Sequence, residues 1–454
     1  MMRDPAHSML KAPAAMELRG KRVLVLGLGD TGLSAARWVA AQGGEARVAD
    51  SRKAPPRMAD LKGELHTGKF KVSLLKDVDL VCLSPGLALT EEIVQAAIAK
   101  GIPVLGDIEL FAWKARGLRL AVTGTNGKST VTALTGHLLR SAGVDAEVAG
   151  NISPPALDAL LRRKTPPAAW VLELSSYQLE TTWSLAPDAA AMLNLSEDHL
   201  DRYAGLADYA AAKARIFRGT GVQVLNRCDS ASMALALPGR PQVTFGLDAP
   251  DMPEDFGVKD GWMVRGQERI FPVAELPLSG MHNASNALAA CALTHAAGVP
   301  LAALAAGLRS FGGLPHRMQR IALRGGVEWL DDSKGTNVGA TVAALNGLAR
   351  KAILILGGEG KGQNFAPLAP AVRARAKRVL LIGRDAKLID KAIAGAGVPV
   401  ERCDSLEAAV ARAAAVAVPG DVVLLSPACA SFDMFRDYRH RGEVFTAAVE
   451  GLGA

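Results

Sequence analysis

Paired cysteines, aromatic clusters and long apolar runs are scarce in this chain of 454 residues, and each shortage excludes something. The five cysteines, Cys82, Cys228, Cys291, Cys403 and Cys429, are scattered and form no C-x-x-C pair. That spacing supplies neither a disulfide framework nor a zinc cradle, and it fits a reducing cytoplasm. Aromatic residues make up 5% of the chain and none interleaves with a basic cluster, so the net charge of +7 has no nucleic-acid motif behind it. The densest basic run, Arg373 to Arg378, has helical spacing and reads as a solvated face. The most apolar window, Asn286 to Leu308, is broken by Gly298-Val299-Pro300 and reads as two packed helices, not a membrane span. The segment up to Gly20 lacks the apolar core of a signal peptide and reads as a tail before the first strand. The composition points to a cytoplasmic protein with no nucleic-acid partner and no membrane span. Its positive surplus suits anionic small molecules.

What the chain does have is alternation. Short apolar runs alternate with alanine-rich helical stretches almost throughout, the pattern of an α/β protein. Strands are expected at Arg22–Leu26, Ala46–Ala49 and Leu80–Leu83, then at Arg119–Val122, Trp170–Leu174 and Ala190–Leu195. A last set is expected at Ile353–Leu356, Val379–Ile382 and Val422–Leu425. Length alone suggests about three domains. Boundaries near Gly106 and near Gly312-Gly313 divide the chain into 1–106, 107–313 and 314–454.

The first domain carries VLVLGLGDTGLSAARWV, in which Gly27, Gly29 and Gly32 form G-x-G-x-x-G between a strand and a helix. Such glycines let the backbone approach a diphosphate, and the helix N-terminus supplies amide donors. Asp50 ends the next strand. A second loop, Ser84 to Leu89, is placed to close over the same ligand.

The stretch AVTGTNGKST, Ala121–Thr130, ends like a phosphate-binding loop, yet G-x-x-x-x-G-K-[ST] would need a glycine where Val122 stands. Its context is nevertheless right, strand before and helix after. Lys128 would reach the β- and γ-phosphates and the Ser129 hydroxyl a magnesium ion. Glu173 ends a neighbouring apolar strand, where a carboxylate calls for an ionic partner. Asp198 and His199 follow another strand, and His199 beside Glu173 becomes a second candidate metal ligand.

Taken together, T-G-T-N-G-K-S-T, E-L-S-S-Y-Q-L-E and E-D-H-L-D-R-Y resemble the Mur ligases and their folylpolyglutamate synthase relatives, in which the short loop G-x-x-G-K-[ST] is the normal form. The resemblance runs from about Lys21 to Gly453 and includes Leu314-Pro-His-Arg317, Asp331-Asp-Ser-Lys-Gly-Thr-Asn337, Gly357-Gly-Glu-Gly-Lys361 and Leu425-Ser-Pro-Ala-Cys-Ala-Ser431. These C-terminal motifs are similar to those of the D-glutamate-adding branch. The resemblance implies a Rossmann-like N-terminal domain that binds the UDP substrate, a central P-loop ATPase domain, and a Rossmann-like C-terminal domain that binds the amino acid. It implies a ligase that spends ATP to join D-glutamate to UDP-N-acetylmuramoyl-L-alanine in cytoplasmic peptidoglycan precursor synthesis, acting as a monomer.

Residue by residue, the resemblance implies an ATP site of Gly124, Thr125, Asn126, Gly127, Lys128, Ser129 and Thr130, with Asn283, Asn286, Arg317, Asp332 and Lys334 around the nucleoside and phosphates. Two magnesium ions would be held by Ser129, Glu173, His199 and Lys213. Lys213 would act as a carbamate; from its spacing alone it reads as a helix-surface lysine. The UDP substrate would meet Gly29, Asp30, Thr31, Asp50, Ser51, Arg52 and Gly86, with Asn151 and His199 at its acyl end. D-Glutamate would meet Thr336, Lys361, Ser431 and Tyr438, the amides around Ser431 opening a helix through Met434 with Tyr438 about two turns on. Lys128, His199 and Lys213 would be catalytic. Asp30 departs from the family's usual apolar residue and sets a carboxylate beside an anionic ligand. Two other classes remain open: an NAD(P)-dependent dehydrogenase using Asp50 or Arg52 at the ribose, and a P-loop switch protein that hydrolyses ATP without ligation. The first leaves Gly124–Ser129, Glu173 and the C-terminal loops without a role; the second leaves the first domain unexplained.

Overall fold

Three sheets follow one another along the chain in this computed structural model, which describes residues 12–198, 202–278 and 280–452. The first is all parallel, in the order Glu64–Thr67, Glu45–Asp50, Arg22–Leu26, Leu80–Leu83, Val104–Leu105. Chain order reverses at Arg22–Leu26, so the crevice beyond that strand's carboxyl end is the switch point where ligands of open α/β sheets bind. The glycine turn and the Ser84 loop both lie there.

The second sheet has nine strands. Leu118–Thr123 lies between Ala169–Glu173 and Ala189–Met192, all parallel, with Val122 level with Glu173. The phosphate loop and Glu173 therefore emerge side by side. The far end finishes in two antiparallel strands, Trp262–Arg265 and Glu268–Pro272. Helices Lys128–Ser141 and Met281–Ala296 pack together on one face of this sheet and share its core. The third sheet runs Gln319–Arg324, Val327–Asp331, Val422–Leu425, Ala352–Gly357, Ala376–Ile382, Val400–Arg402. Only its first strand is antiparallel to its neighbour. Apolar clusters cover both of its faces.

The first two sheets are not joined by a loose linker. Helix Asp107–Lys114 begins right after Gly106 and packs into one core that spans both, with Phe111 edge-on to Trp170 at 5.0 Å. Glu109 on this helix is fully buried and accepts from the amides of Trp183 (2.6 Å) and Ser184 (3.0 Å), the Ser184 hydroxyl and the Trp113 indole. Its partners offset the cost of burying the charge.

Two expectations fail here. The basic run Arg373 to Arg378 is not one helical face: helix Leu368–Arg375 stops and strand Ala376–Ile382 starts at once, with Arg378 paired to Glu401. The residues after Ser431 form turns, not a helix. Helix Tyr438–Glu450 begins only where the Asp437 side chain caps the His440 amide at 2.9 Å. Among the described residues no helix is long and apolar enough to cross a membrane. All five cysteines are free, and Cys82, Cys291 and Cys429 are buried.

Candidate active site

A cavity of about 540 Å³ opens between the second and third sheets. One wall is the phosphate loop. Gly127 turns the chain with φ of 85°, and a Cβ there would lie 2.4 Å from the Asn286 side chain, so glycine is required. Helix Lys128–Ser141 follows without a side-chain cap, leaving its first amides to an anion. The segment after Ala189–Met192 clamps the loop from behind. Asn194 accepts from the Asn126 amide (2.8 Å), donates to its carbonyl (3.0 Å) and takes the Thr125 amide on its own carbonyl (2.9 Å). Thr125 Oγ1 bonds the backbone of Ser196.

Lys128 folds back onto the carbonyls of Gly124 (2.9 Å) and Thr125 (2.8 Å). Burial lowers its pKa, against the pull of Glu173 and Asp198. Glu173 is buried at the strand end. Its Oε1 accepts from Asn151 at 2.6 Å, and its Oε2 has no hydrogen-bond partner. A buried carboxylate oxygen left open in this way suits a cation. Among the described residues, no three His, Cys, Asp or Glu side chains cluster tightly enough to hold a metal by themselves. His199 lies outside the described residues.

Lys213 corrects its surface reading. It is 1% exposed on helix Leu206–Ala214, and its Nζ reaches the Gly124 carbonyl at 2.9 Å behind the loop. Burial drives its pKa well below the ordinary lysine value, Lys128 pushes the same way, and Asp198 and Glu173 oppose.

The third sheet supplies the opposite wall. Arg317 donates to Ser129 Oγ at 3.0 Å, and Asn337, the cap of helix Val338–Asn346, donates to Asn126 Oδ1 at 3.0 Å. Asp332 is buried, accepts from Ser426 Oγ at 2.7 Å, and is pushed up to about 7 by desolvation that outweighs Ser426 and Arg317. Desolvation brings Lys334 down to about 8; its ammonium lies 3.7 Å from the centroid of the Tyr438 ring. Thr130, Asn151, Asn283, Asn286, Thr336 and Lys361 also line the cavity. Ser431 and Tyr438 do not. Ser431 is buried, and Tyr438 is the first residue of its helix, so its backbone amide is not two turns into one.

The expected UDP residues form a separate group at the first sheet. Gly32 is closed against the turn: a Cβ there would stand 1.8 Å from the Gly27 carbonyl oxygen. Asp50 is buried, and although burial raises its pKa, hydrogen bonds from Arg52 and the amides of Leu28 and Arg52 bring it to about 2. Its oxygens are thus already engaged within the fold, which weakens its reading as a ribose acceptor. Asp30 is not a bare charge beside the glycine turn, since Arg57 Nε bonds it at 2.6 Å. Gly29, Thr31, Ser51 and Gly86 stay open or half-open around the crevice, and Ser84 Oγ ties its loop to the Gly27 carbonyl at 3.1 Å.

The sequence assigned no role to Asn194 or Arg441, and it marked Asn337 only as the end of a motif. Asn194, a lone amide just past the apolar run Ala189–Leu193 and ahead of L-S-E-D-H, carried a usable signal. Arg441 carried none: it is 1% exposed and donates to Ser333 Oγ and to the carbonyls of Ser333 and Cys429, with burial lowering its pKa to about 10.

A phosphate loop beside an orphaned strand-end carboxylate, roofed by a third α/β domain, defines a P-loop enzyme of three domains. The chain belongs to the Mur ligase family. Residues 21–106 match "Mur ligase MurD-like, N-terminal domain", residues 122–294 match "Mur ligase middle domain", and residues 316–429 match "Mur ligase, glutamate ligase domain". The chain is 53% identical to the UDP-N-acetylmuramoylalanine--D-glutamate ligase of Thiobacillus denitrificans, over 97% of this chain and 98% of that one. It is 52% identical to the enzyme of that name from Nitrosospira multiformis, over 97% of each. In fold it is similar to UDP-N-acetylmuramate-alanine ligase from Thermotoga maritima, with a TM-score of 0.63 at 19% identity, covering 95% of this chain and all of that one.

Proposed function

We propose that this protein is an ATP-dependent ligase that joins D-glutamate to UDP-N-acetylmuramoyl-L-alanine, a cytoplasmic step of peptidoglycan precursor synthesis, and that it works as a monomer. The likeness to the D-glutamate ligases over nearly the whole chain supports the substrates. The single observation that carries the chemistry is the open Glu173 oxygen beside an uncapped phosphate loop. In this reading, residues 1–106 hold the UDP moiety, 107–313 the ATP and 314–454 the amino acid.

A carboxylate is a poor acylating agent, so the L-alanyl carboxylate must first take the γ-phosphoryl group, with ADP leaving. The D-glutamate nitrogen then attacks the carbonyl carbon of the acyl phosphate, the carbon–oxygen bond to phosphate breaks, and the amine gives up a proton. Phosphoryl transfer is mainly positioning and charge neutralisation. Lys128 would leave the loop carbonyls for the phosphates, and the amides opening helix Lys128–Ser141 would hold the β-phosphate. Ser129 and Glu173 would hold one magnesium ion, and His199 with Lys213 a second; these ions would supply charge neutralisation at the transferring group. Lys213 would serve as a carbamate, since a buried ammonium beside cations is repelled whereas its CO2 adduct offers an oxygen. Asn283, Asn286, Arg317, Asp332 and Lys334 would frame the nucleoside and phosphates. Thr336, Lys361, Ser431 and Tyr438 would form the D-glutamate end.

ADP release measured with and without each substrate, beside an NADH absorbance control, tests the proposal. Turnover should require both UDP-N-acetylmuramoyl-L-alanine and D-glutamate. ATP hydrolysis independent of both would identify a switch protein, and NADH consumption a dehydrogenase.

A further inference from the structure

The chain holds four tyrosines, and three of them form a single file between the first domain and the phosphate loop. Tyr177 stacks on Tyr203 at 6.0 Å between ring centroids, and Tyr203 meets Tyr209 at 5.3 Å. Each end is closed by a basic side chain. Arg202 lies over the Tyr177 ring at 4.4 Å, and the Lys213 nitrogen lies over the Tyr209 ring at 4.5 Å. Arg202 also bridges two domains: one branch pairs with buried Glu180 at 2.7 Å, and the other donates to the Pro85 carbonyl at 3.2 Å. Pro85 belongs to the loop that Ser84 ties to the glycine turn. At the other end, Lys213 bonds the Gly124 carbonyl. The motifs E-L-S-S-Y-Q-L-E, E-D-H-L-D-R-Y and Y-A-A-A-K, spread over residues 173–213, meet through these side chains.

We infer that Arg202 is a positioning residue for the sugar-nucleotide substrate, fixing the Ser84–Leu89 loop of the first domain against the central domain at a set distance from Lys213. This rests on the reading that the crevice at Gly27–Gly32 binds UDP. A substrate anchored there must present its carboxylate some distance away at the phosphate loop, so its alignment depends on what holds the two domains in register. The guanidinium suits that task because its planar fork can serve Glu180, the Pro85 carbonyl and a ring face together, which an ammonium cannot. The rings fill the space behind it, and Tyr209 packs along the Lys213 side chain whatever charge that nitrogen carries.

Arg202→Lys and Arg202→Gln test the inference, read by calorimetric binding of UDP and of UDP-N-acetylmuramoyl-L-alanine, by KM for all three substrates, and by thermal melting. UDP touches only the first domain in this reading, so its affinity should not change. Affinity for the full substrate should fall about tenfold in both variants, as expected for losing one hydrogen bond from a charged group, with KM for ATP and D-glutamate within about twofold of wild type. Arg202→Lys, which keeps a cation for Glu180, should melt near the wild-type temperature and still show the loss. A drop in melting temperature with all affinities unchanged would make Arg202 a structural brace and overturn the inference. If wild-type protein bound UDP but both variants bound the full substrate normally, the inference alone would fall. If wild-type protein did not bind UDP, the first-domain reading would fall and take the inference with it.

Discussion

Two buried carboxylates in the cavity face opposite situations. Glu173 keeps one oxygen open, while Asp332 is shielded from water and held near neutrality. The folded Asp332 titrates at about 7 against 3.8 in the unfolded chain, so between these values the folded state holds a proton that the unfolded state has lost. This group therefore makes stability fall as pH rises from about 4 to about 7, and adds no further slope above that range. Asp332→Asn should flatten that part of the urea-midpoint profile without ATP. An unchanged slope would mean that Asp332 is ionised throughout. Lys213 gives a second test. If it acts as a carbamate, Lys213→Ala should lose activity and recover part of it with short carboxylic acids, whose oxygens can replace the missing ligand. Full activity without rescue would return Lys213 to a packing role. Neither burial could be read from the sequence, because Y-A-A-A-K has the spacing of an exposed helix face and D-D-S-K that of a polar turn.

The strands were the most legible elements, since each buried one is a short apolar run closed by turn residues. Errors arose where that punctuation is missing. R-A-R-A-K-R passes from helix to strand with no glycine or proline, and S-F-D-M-F-R-D carries helix-like apolar spacing although the cap that starts the helix is Asp437. The glycine turn of the first domain was legible, and its three glycines are not equivalent. A Cβ at Gly32 would collide with the Gly27 carbonyl, whereas one at Gly29 would meet nothing within 4 Å. Gly32→Ala should therefore cost roughly 1–3 kcal/mol in denaturant unfolding and abolish stabilisation by UDP. Gly29→Ala should stay within about 0.5 kcal/mol of wild type. Equal effects at the two positions would contradict the close packing of turn and helix.

What no spacing could reveal is which loops meet. Arg317 reaches Ser129 across 188 positions, Asn337 reaches Asn126 across 211, and Arg202 reaches Pro85 across 117. Through these contacts three α/β units enclose one reaction space, with the phosphate loop at its centre. The function proposed for this space is to activate a carboxylate by phosphorylation. The decisive substrate is UDP-N-acetylmuramoyl-L-alanine carrying 18O in both oxygens of its alanyl carboxylate, turned over with ATP and D-glutamate. Mass analysis of the released phosphate should show one 18O transferred per turnover, because the bridging oxygen leaves with phosphorus when the amine attacks carbon. Phosphate free of 18O, formed alongside product, would rule out an acyl phosphate.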